Sequence, residues 1–433
     1  MKNKYTQIII MFIAICLVAA VVVKIKISTL KNEIKDGDKN IYSEESEGDE
    51  NISSKFIEDG EMRGVWLSTV NNLDWPEVGS YNNTKLQKEL LKEELDFVEE
   101  KSMNTVFFQV RPMGDALYES SYAPWSKYLT GTLGGNPGYD PLEFAIEEAH
   151  KRGLELQAWF NPFRIDSNSK NFTVDEYIDK LPESCTLKDN ENWIVKYDKY
   201  HYLDIGVPEV RQYVIDTIIE VVKKYNIDGV VLDDYFYPYP VNGLDFPDNE
   251  TYEKYGEGFD SKEEWRRSNV NNFISELNRR IKEVNEGVKF GVSPFGIWRN
   301  GESVGGSNTR GLSSYDDVYV DSRKWIQEGW LDYIIPQIYW QFDYSSAPFA
   351  TLVDWWSKQV ENTNVQLYIG HAVYKVNDSS YGEAWLNENE IINQIRYARG
   401  NSNVKGSCFF RLKSLEENRL GFTDKLKELY LKK

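Results

Sequence analysis

From Arg63 onward, short apolar runs alternate about eight times with longer segments whose apolar residues recur three or four positions apart. The runs predict strands at Arg63–Ser68, Thr105–Val110, Leu154–Phe160, Gly229–Tyr235, Lys289–Phe295, Asp332–Tyr339, Val365–Gly370 and Val404–Phe410. The periodic segments predict helices near Thr84–Lys101, Pro141–Arg152, Pro208–Tyr225, Lys262–Val284, Ser322–Glu328, Pro348–Glu361, Glu388–Arg399 and Gly421–Leu431. Leu86, Leu90, Leu91, Leu95 and Val98 draw one stripe along the first helix. Asp140-Pro141-Leu142-Glu143 offers an N-cap, a first-turn proline and a capping glutamate, and Gly153 stands where a C-cap belongs.

Connection lengths turn this alternation into an architecture. Helix-to-strand links are short, as at Ser102-Met103-Asn104, whereas strand-to-helix links are mostly long, notably Arg111–Asp140, Asn161–Val207, Phe236–Ser261 and Gly296–Asp321. One elaborated face is what a (β/α)8 TIM barrel with long strand-to-helix loops shows. An open doubly wound sheet is the alternative, but no G-x-G-x-x-G follows the first strand to support it.

The hydropathy pattern changes character before residue 61. Lys2 and Lys4 precede the unbroken apolar run Ile8–Val23, and Lys24 and Lys26 follow it. Residues 1–28 are therefore expected to be a membrane anchor or a secretory signal. Cleavage after Val18-Ala19-Ala20 would leave Val21-Val22-Val23 at the new terminus, which favours the anchor. Either device, in its usual form, puts the rest of the chain outside the cytoplasm, at the cell membrane or secreted. Residues 29–60, with Glu44-Glu45 and Glu47-Gly48-Asp49-Glu50, form an acidic segment expected to be disordered, and 61–433 the barrel domain.

Of 433 residues, 69 are acidic and 50 basic, a net charge of −19 at pH 7, which disfavours nucleic acid as a partner. Neither Cys16, Cys185 and Cys408 nor His150, His201 and His371 show metal-ligand spacing, and no metal or cofactor is expected. Cys185 and Cys408 are open to two fates, a disulfide outside the cell or two buried thiols. Aromatic residues make up 14% of the chain and cluster beside Gly, Pro, Asn and Asp, which suits stacking on sugar rings as well as loop anchoring.

The segment Asp228-Gly229-Val230-Val231-Leu232-Asp233-Asp234-Tyr235-Phe236-Tyr237-Pro238 carries the candidate chemistry. An apolar strand delivers two adjacent carboxylates into an aromatic cluster, where ionised acid is costly unless paired or used. Alternate residues on other strands place Gln109, Arg111, Trp159, Asn161, Gln337, Tyr339 and Gln341 at the same face, with Arg164 just beyond Asn161 and Asp343 just beyond Gln341. Trp298, Trp340 and Tyr235 extend it as substrate-binding candidates. Such interleaved amides, arginines and aromatics match a polyhydroxylated ligand, although each Trp alone is more often packing, and Arg111 and Arg164 serve equally well as partners of loop carboxylates. Glycosidic cleavage uses two carboxyl groups. Asp233 is expected as nucleophile or base, and Asp234, of opposite strand parity, as an orienting or hydroxyl-binding group. Asp343, following the sixth strand most closely, is expected as the acid, with Asp321 and Glu383 as rivals.

At these residues the chain resembles the bacterial glycosyl-hydrolase-like family ten, once a domain of unknown function and grouped with TIM-barrel glycosidases. The matching segments are Arg63-Gly64-Val65-Trp66-Leu67, Phe108-Gln109-Val110-Arg111-Pro112, Asn136 to Leu142, Ala158 to Arg164, Asp228 to Pro238, Trp265 to Val270 and Pro336-Gln337-Ile338-Tyr339-Trp340. They run in order over nearly all of the chain from Glu61 to Leu415. One departure is Ile205, where proline is expected. The resemblance implies a glycosidase acting on bacterial polysaccharide, with peptide-stripped peptidoglycan strands as a substrate, and makes Asp233 the shared carboxylate of the fourth strand. Competing expectations are a glycan-binding receptor that has lost catalysis and a barrel hydrolase of another bond, such as a deacetylase.

Overall fold

Apolar runs covered on both sides build the inner wall of the molecule. The computed structural model describes residues 60–166, 173–183 and 185–431, so the expected N-terminal segment and all but the end of the acidic stretch lie outside the described residues. In chain order the strands are β1 (Met62–Leu67), β2 (Thr105–Arg111), β3 (Glu155–Phe160), β4 (Arg164–Asp166), β5 (Ile194–Tyr197), β6 (Tyr200–Leu203), β7 (Gly229–Leu232), β8 (Lys289–Val292), β9 (Tyr333–Ile334), β10 (Gln366–Ala372) and β11 (Val404–Phe410). Eight of them close into a barrel in the order β1-β11-β10-β9-β8-β7-β3-β2, every neighbouring pair parallel. Closure between β1 and β11, with Met62 opposite Gly406 and Val65 opposite Phe409, rules out the open sheet.

A long helix follows each barrel strand except one, where the helix is short. These are α1 (Thr84–Glu100), α2 (Pro141–Lys151), α3 (Pro208–Lys224), α4 (Lys262–Val284), α5 (Ser322–Gln327), α6 (Phe349–Val360), α7 (Glu390–Arg399) and α8 (Phe422–Leu431). The result is the (β/α)8 TIM barrel that the connection lengths predict. Asp140 caps α2 as expected, its carboxylate accepting from the backbone of Leu142 and Glu143.

Two departures from expectation bear on function. Three strands end earlier than the apolar pattern suggests, β7 at Leu232, β8 at Val292 and β9 at Ile334. Regular pairing stops where acid or proline begins, at Asp233, just before Pro294 and just before Pro336, and proline cannot donate to a ladder. The long link after β3 also contains a three-stranded antiparallel sheet, ordered β4-β6-β5, which raises one wall above the barrel.

The barrel interior is aromatic. Trp66, Phe107, Trp159, Val231, Tyr333, Tyr368 and Cys408 pack together there, with Trp66 and Phe107 stacked at 4.5 Å between centroids. Glycine makes this filling possible, because a Cβ at Gly291 would collide with the Tyr333 ring and one at Gly64 with Phe107. Gln157 accepts the Tyr333 hydroxyl at 3.1 Å, so the one deep polar pair is satisfied. Cys185 and Cys408 are both free and buried, which settles against the disulfide.

Carboxylates fasten the opposite end of the barrel. Asp228 accepts the Leu156 amide at 2.7 Å and pairs with His150 at 2.9 Å, so the first acid of the strand-four segment is a structural clip. Glu61, ahead of β1, binds the Arg399 guanidinium of α7 twice at 2.8 Å, both side chains buried. Arg399→Met should strand the Glu61 charge and cost about 3–5 kcal/mol. Denaturant midpoints check this, and Glu61→Leu combined with Arg399→Met should recover most of the loss.

Candidate active site

Strand ends decide which side chains meet. Past Leu232 the chain leaves its ladder, and both Asp233 and Asp234 turn into a cavity of about 380 Å3 at the C-terminal mouth of the barrel. Every barrel strand, or the segment following it, contributes to the lining. Trp66 comes from β1, Gln109 from β2, Trp159 from β3, Ser293 follows β8, Gln337 and Tyr339 follow β9, Tyr374 follows β10 and Phe410 ends β11. The inserted sheet adds Arg164 from β4 and Tyr200 from β6. In the strand order, β11 stands across the barrel from β7, flanked by β1 and β10. The wall opposite the aspartates is therefore Phe410, Trp66 and Tyr374.

The two carboxylates are held differently. Trp159 donates its indole N–H to Asp233 Oδ2 at 3.2 Å, while Asp233 Oδ1 is buried without a partner. Burial, reinforced by the charge of Asp234, pushes Asp233 up to about 7 against the opposing pull of Arg164 and Trp159. Asp234 is also raised by burial, but the Tyr239 hydroxyl and the Gln337 amide hydrogen-bond it and counter the shift. Burial and the Asp234 charge hold the Tyr239 hydroxyl well above its ordinary value, so it remains a donor. Gln337 is itself fixed by donating to the Ser293 carbonyl at 2.9 Å.

Arg164 lies over the Tyr235 ring at 4.5 Å and makes no ion pair among the described residues. Its backbone N–H donates to Asn161 Oδ1 at 3.3 Å, so the fully buried Asn161 shapes the turn that delivers Arg164. Gln109 accepts from the backbone of Thr69 and Val70, both at 2.9 Å, and thereby orders the rim after β1. Among the described residues no cluster of three His, Cys, Asp or Glu could hold a metal ion.

Of the residues singled out in the sequence, the cavity gathers Gln109, Trp159, Arg164, Asp233, Asp234, Tyr235, Gln337 and Tyr339. Asn161 lies beneath it. Arg111 is fully buried with its guanidinium over Tyr213, off the cavity. Trp298 stacks on Trp355 of α6 and donates to Asp321, so it braces the periphery, and Trp340 packs edge-on against Phe295. Asp343 is not brought to the aspartate pair. It is exposed beyond Tyr339, and its charge acts instead on Glu390. Asp321, which caps α5, and Glu383 also stay outside the lining, whose only carboxylates among the described residues are Asp233 and Asp234. Trp66, Tyr374 and Phe410 escaped notice although strand-end position could have flagged them; Tyr200 had no such signal, because its sheet is hidden in a long connection.

Comparison with known proteins places this geometry. The family model described as glycosyl hydrolase-like 10 matches residues 61–387. Glycosyl hydrolase YngK of Bacillus subtilis (strain 168) is 46% identical over 86% of this chain and 72% of its own. Glycosyl hydrolase DigH of Escherichia coli (strain K12) is 43% identical over 81% of this chain and 82% of its own. Among solved structures, the glycoside hydrolase domain of PgaB (BpsB) from Bordetella bronchiseptica superposes with a TM-score of 0.54 at 10% identity, covering 86% of this chain and 99% of that domain. That last likeness speaks for the fold alone.

A raised carboxyl leaves a signature in stability. Between 3.8 and about 7 the folded protein holds a proton at Asp233 that the unfolded chain releases, so this group lowers stability as pH rises through that window. Asp233→Asn should unfold close to wild type near pH 4 and a few degrees higher at pH 8. Thermal melts of both across the range test it, and parallel curves would refute the buried, raised carboxyl.

Proposed function

This chain belongs to the glycosyl hydrolase-like 10 family, and from that premise we propose that it hydrolyses glycan of the bacterial cell wall, outside the cytoplasm, with Asp233 moving the proton. Peptide-stripped peptidoglycan strands are the proposed substrate. The carrying observation is the pair Asp233 and Asp234, buried together in an aromatic-walled cavity at the end of the fourth barrel strand. A carboxyl raised to about 7 is balanced between donating and accepting near neutrality, as a general acid and base must be. Trp159 fixes its orientation, and no other group in the cavity is comparably poised. Proton donation therefore falls to Asp233 and not to the exposed Asp343.

Binding follows from the walls. Trp66, Tyr339, Tyr374 and Phe410 offer apolar faces to sugar rings, while Gln109, Arg164 and Gln337 offer donors to ring substituents. The apolar run Ile8–Val23, flanked by lysines, supports membrane attachment and an extracytoplasmic site of action, and the acidic stretch after it would space the barrel from the lipid.

The purified full-length chain, incubated with peptide-stripped and with intact peptidoglycan, should release fragments visible by mass spectrometry, preferentially from the stripped strands. Asp233→Asn should lower that rate by about 10²–10⁴-fold. Binding of glycan without new reducing ends would replace the enzyme with a receptor, and acetate release from chains of unchanged length would replace the glycosidase with a deacetylase.

A further inference from the structure

A glycosidase that retains configuration through a protein nucleophile sets its two carboxyl groups on opposite sides of the bond, about 5–5.5 Å apart, and an inverting one separates them by about 6.5–9.5 Å. Among the described residues the only carboxylates lining this cavity are successive residues leaving one strand end, so both enter it from the β7 side and do not flank a bound sugar. The facing wall, supplied by β11, β1 and β10, presents Phe410, Trp66 and Tyr374 and no acid at all. No lining side chain stands where a second carboxylate is required.

Building on the glycosidase function proposed above, we propose that the substrate supplies the nucleophile: the sugar cleaved here carries a 2-acetamido group whose carbonyl oxygen attacks C1, while Asp234 holds its N–H and Asp233 protonates the leaving oxygen. The residues divide accordingly. Tyr239 and Gln337 both donate to Asp234, which fixes its carboxylate and counters protonation, leaving its remaining lone pairs to accept an amide N–H from the cavity. Asp233 is held by the Trp159 indole and the Tyr235 backbone, and its Oδ1 is buried without a close partner, which leaves one carboxyl oxygen for the bond being cleaved. The aromatic wall gives the acetyl methyl an apolar seat.

The steps balance. As the amide oxygen bonds to C1, the C1–O bond to the neighbouring sugar breaks and its oxygen takes the Asp233 proton. The resulting oxazolinium ring is positive, and its N–H lies on the Asp234 carboxylate. Water then attacks C1 from the vacated side, gives a proton to Asp233, and the C1–O bond to the amide breaks, restoring the acetamido group. Two inversions at C1 give net retention, and no oxidant or reductant takes part.

A graded substrate tests this without relying on a variant that has to fold. Peptide-free glycan strands are chemically de-N-acetylated and re-acylated with acetyl, fluoroacetyl or trifluoroacetyl groups, which alter bulk little and weaken the carbonyl oxygen as a nucleophile in that order. With the full-length wild-type chain, kcat should fall along the series, on the order of a hundredfold or more across it, as the intramolecular nucleophile is lost. Asp234→Asn should lower kcat on acetyl strands with KM little changed, and an unchanged kcat would remove Asp234 from this role. Turnover at the same kcat on all three strands would overturn the inference while leaving the glycosidase standing. Failure to cleave even the acetyl strands would overturn the glycosidase itself, and the inference with it.

Discussion

Two adjacent carboxylates removed from water are the constraint around which this barrel is organised. Burying one ionised carboxylate costs several kcal/mol unless hydrogen bonds or opposite charge compensate, and a second beside it adds repulsion. The compensation is unequal. Asp234 receives the Tyr239 hydroxyl and the Gln337 amide, whereas Asp233 receives one side-chain donor, the Trp159 indole, beside the Tyr235 backbone, and rises to about 7. The arrangement leaves one group tied down and the other balanced between protonation states, the division of labour that acid–base chemistry needs. Arg164 tempers both without an ion pair to either, its guanidinium lying over the Tyr235 ring.

That asymmetry depends on the barrel beneath. Aromatic rings and the glycines opposite them fill the interior up to Trp66 and Trp159, which meet edge to face at 5.0 Å and both line the cavity. Trp159 serves twice, as packing against Trp66 and as the donor to Asp233, so a loosened interior would misplace the acid directly. Asp228 at the other end of β7 anchors the same strand to Leu156 and His150. The strand that carries the chemistry is thus fixed at its start by one acid and ends in two others.

The barrel was legible because its evidence is distributed over the whole chain. Sixteen elements alternate with short links on one side and long links on the other, and a boundary error of a few residues in any of them leaves the topology unchanged. The site was legible only where strand periodicity survives. Isolated bridges from Gln337 to Phe295 and to Gly370 carry the register of the two-residue β9 as far as Gln337, which does reach the cavity. Counting alternate residues onward to Gln341 and Asp343 follows a strand that has already ended, and the loop takes Asp343 into solvent. The same loss of periodicity works in the other direction at Asp234, whose opposite parity predicts another face but which joins Asp233 because β7 stops at Leu232. Trp298 and Trp340 failed for a different reason: beyond Pro294 and Pro336 an aromatic residue is as useful for bracing α6 or Phe295 as for stacking on a sugar, and sequence does not separate the two uses.

The inserted sheet explains why the long connection after β3 matters more than its length suggests. Without β4, β5 and β6 the cavity would lose Arg164 and Tyr200 from its lining. The Arg164 guanidinium lies 4.5 Å from the centre of the Tyr235 ring and 5.8 Å from that of Tyr200. Arg164, the first residue of the inserted sheet, is also the charge that pulls Asp233 down against burial and the Asp234 charge, so part of the poise of this residue is set by the insertion. Catalytic poise in this fold is then a property of two layers. The barrel fixes where the carboxylates stand, and the insertion supplies the positive charge that opposes their burial.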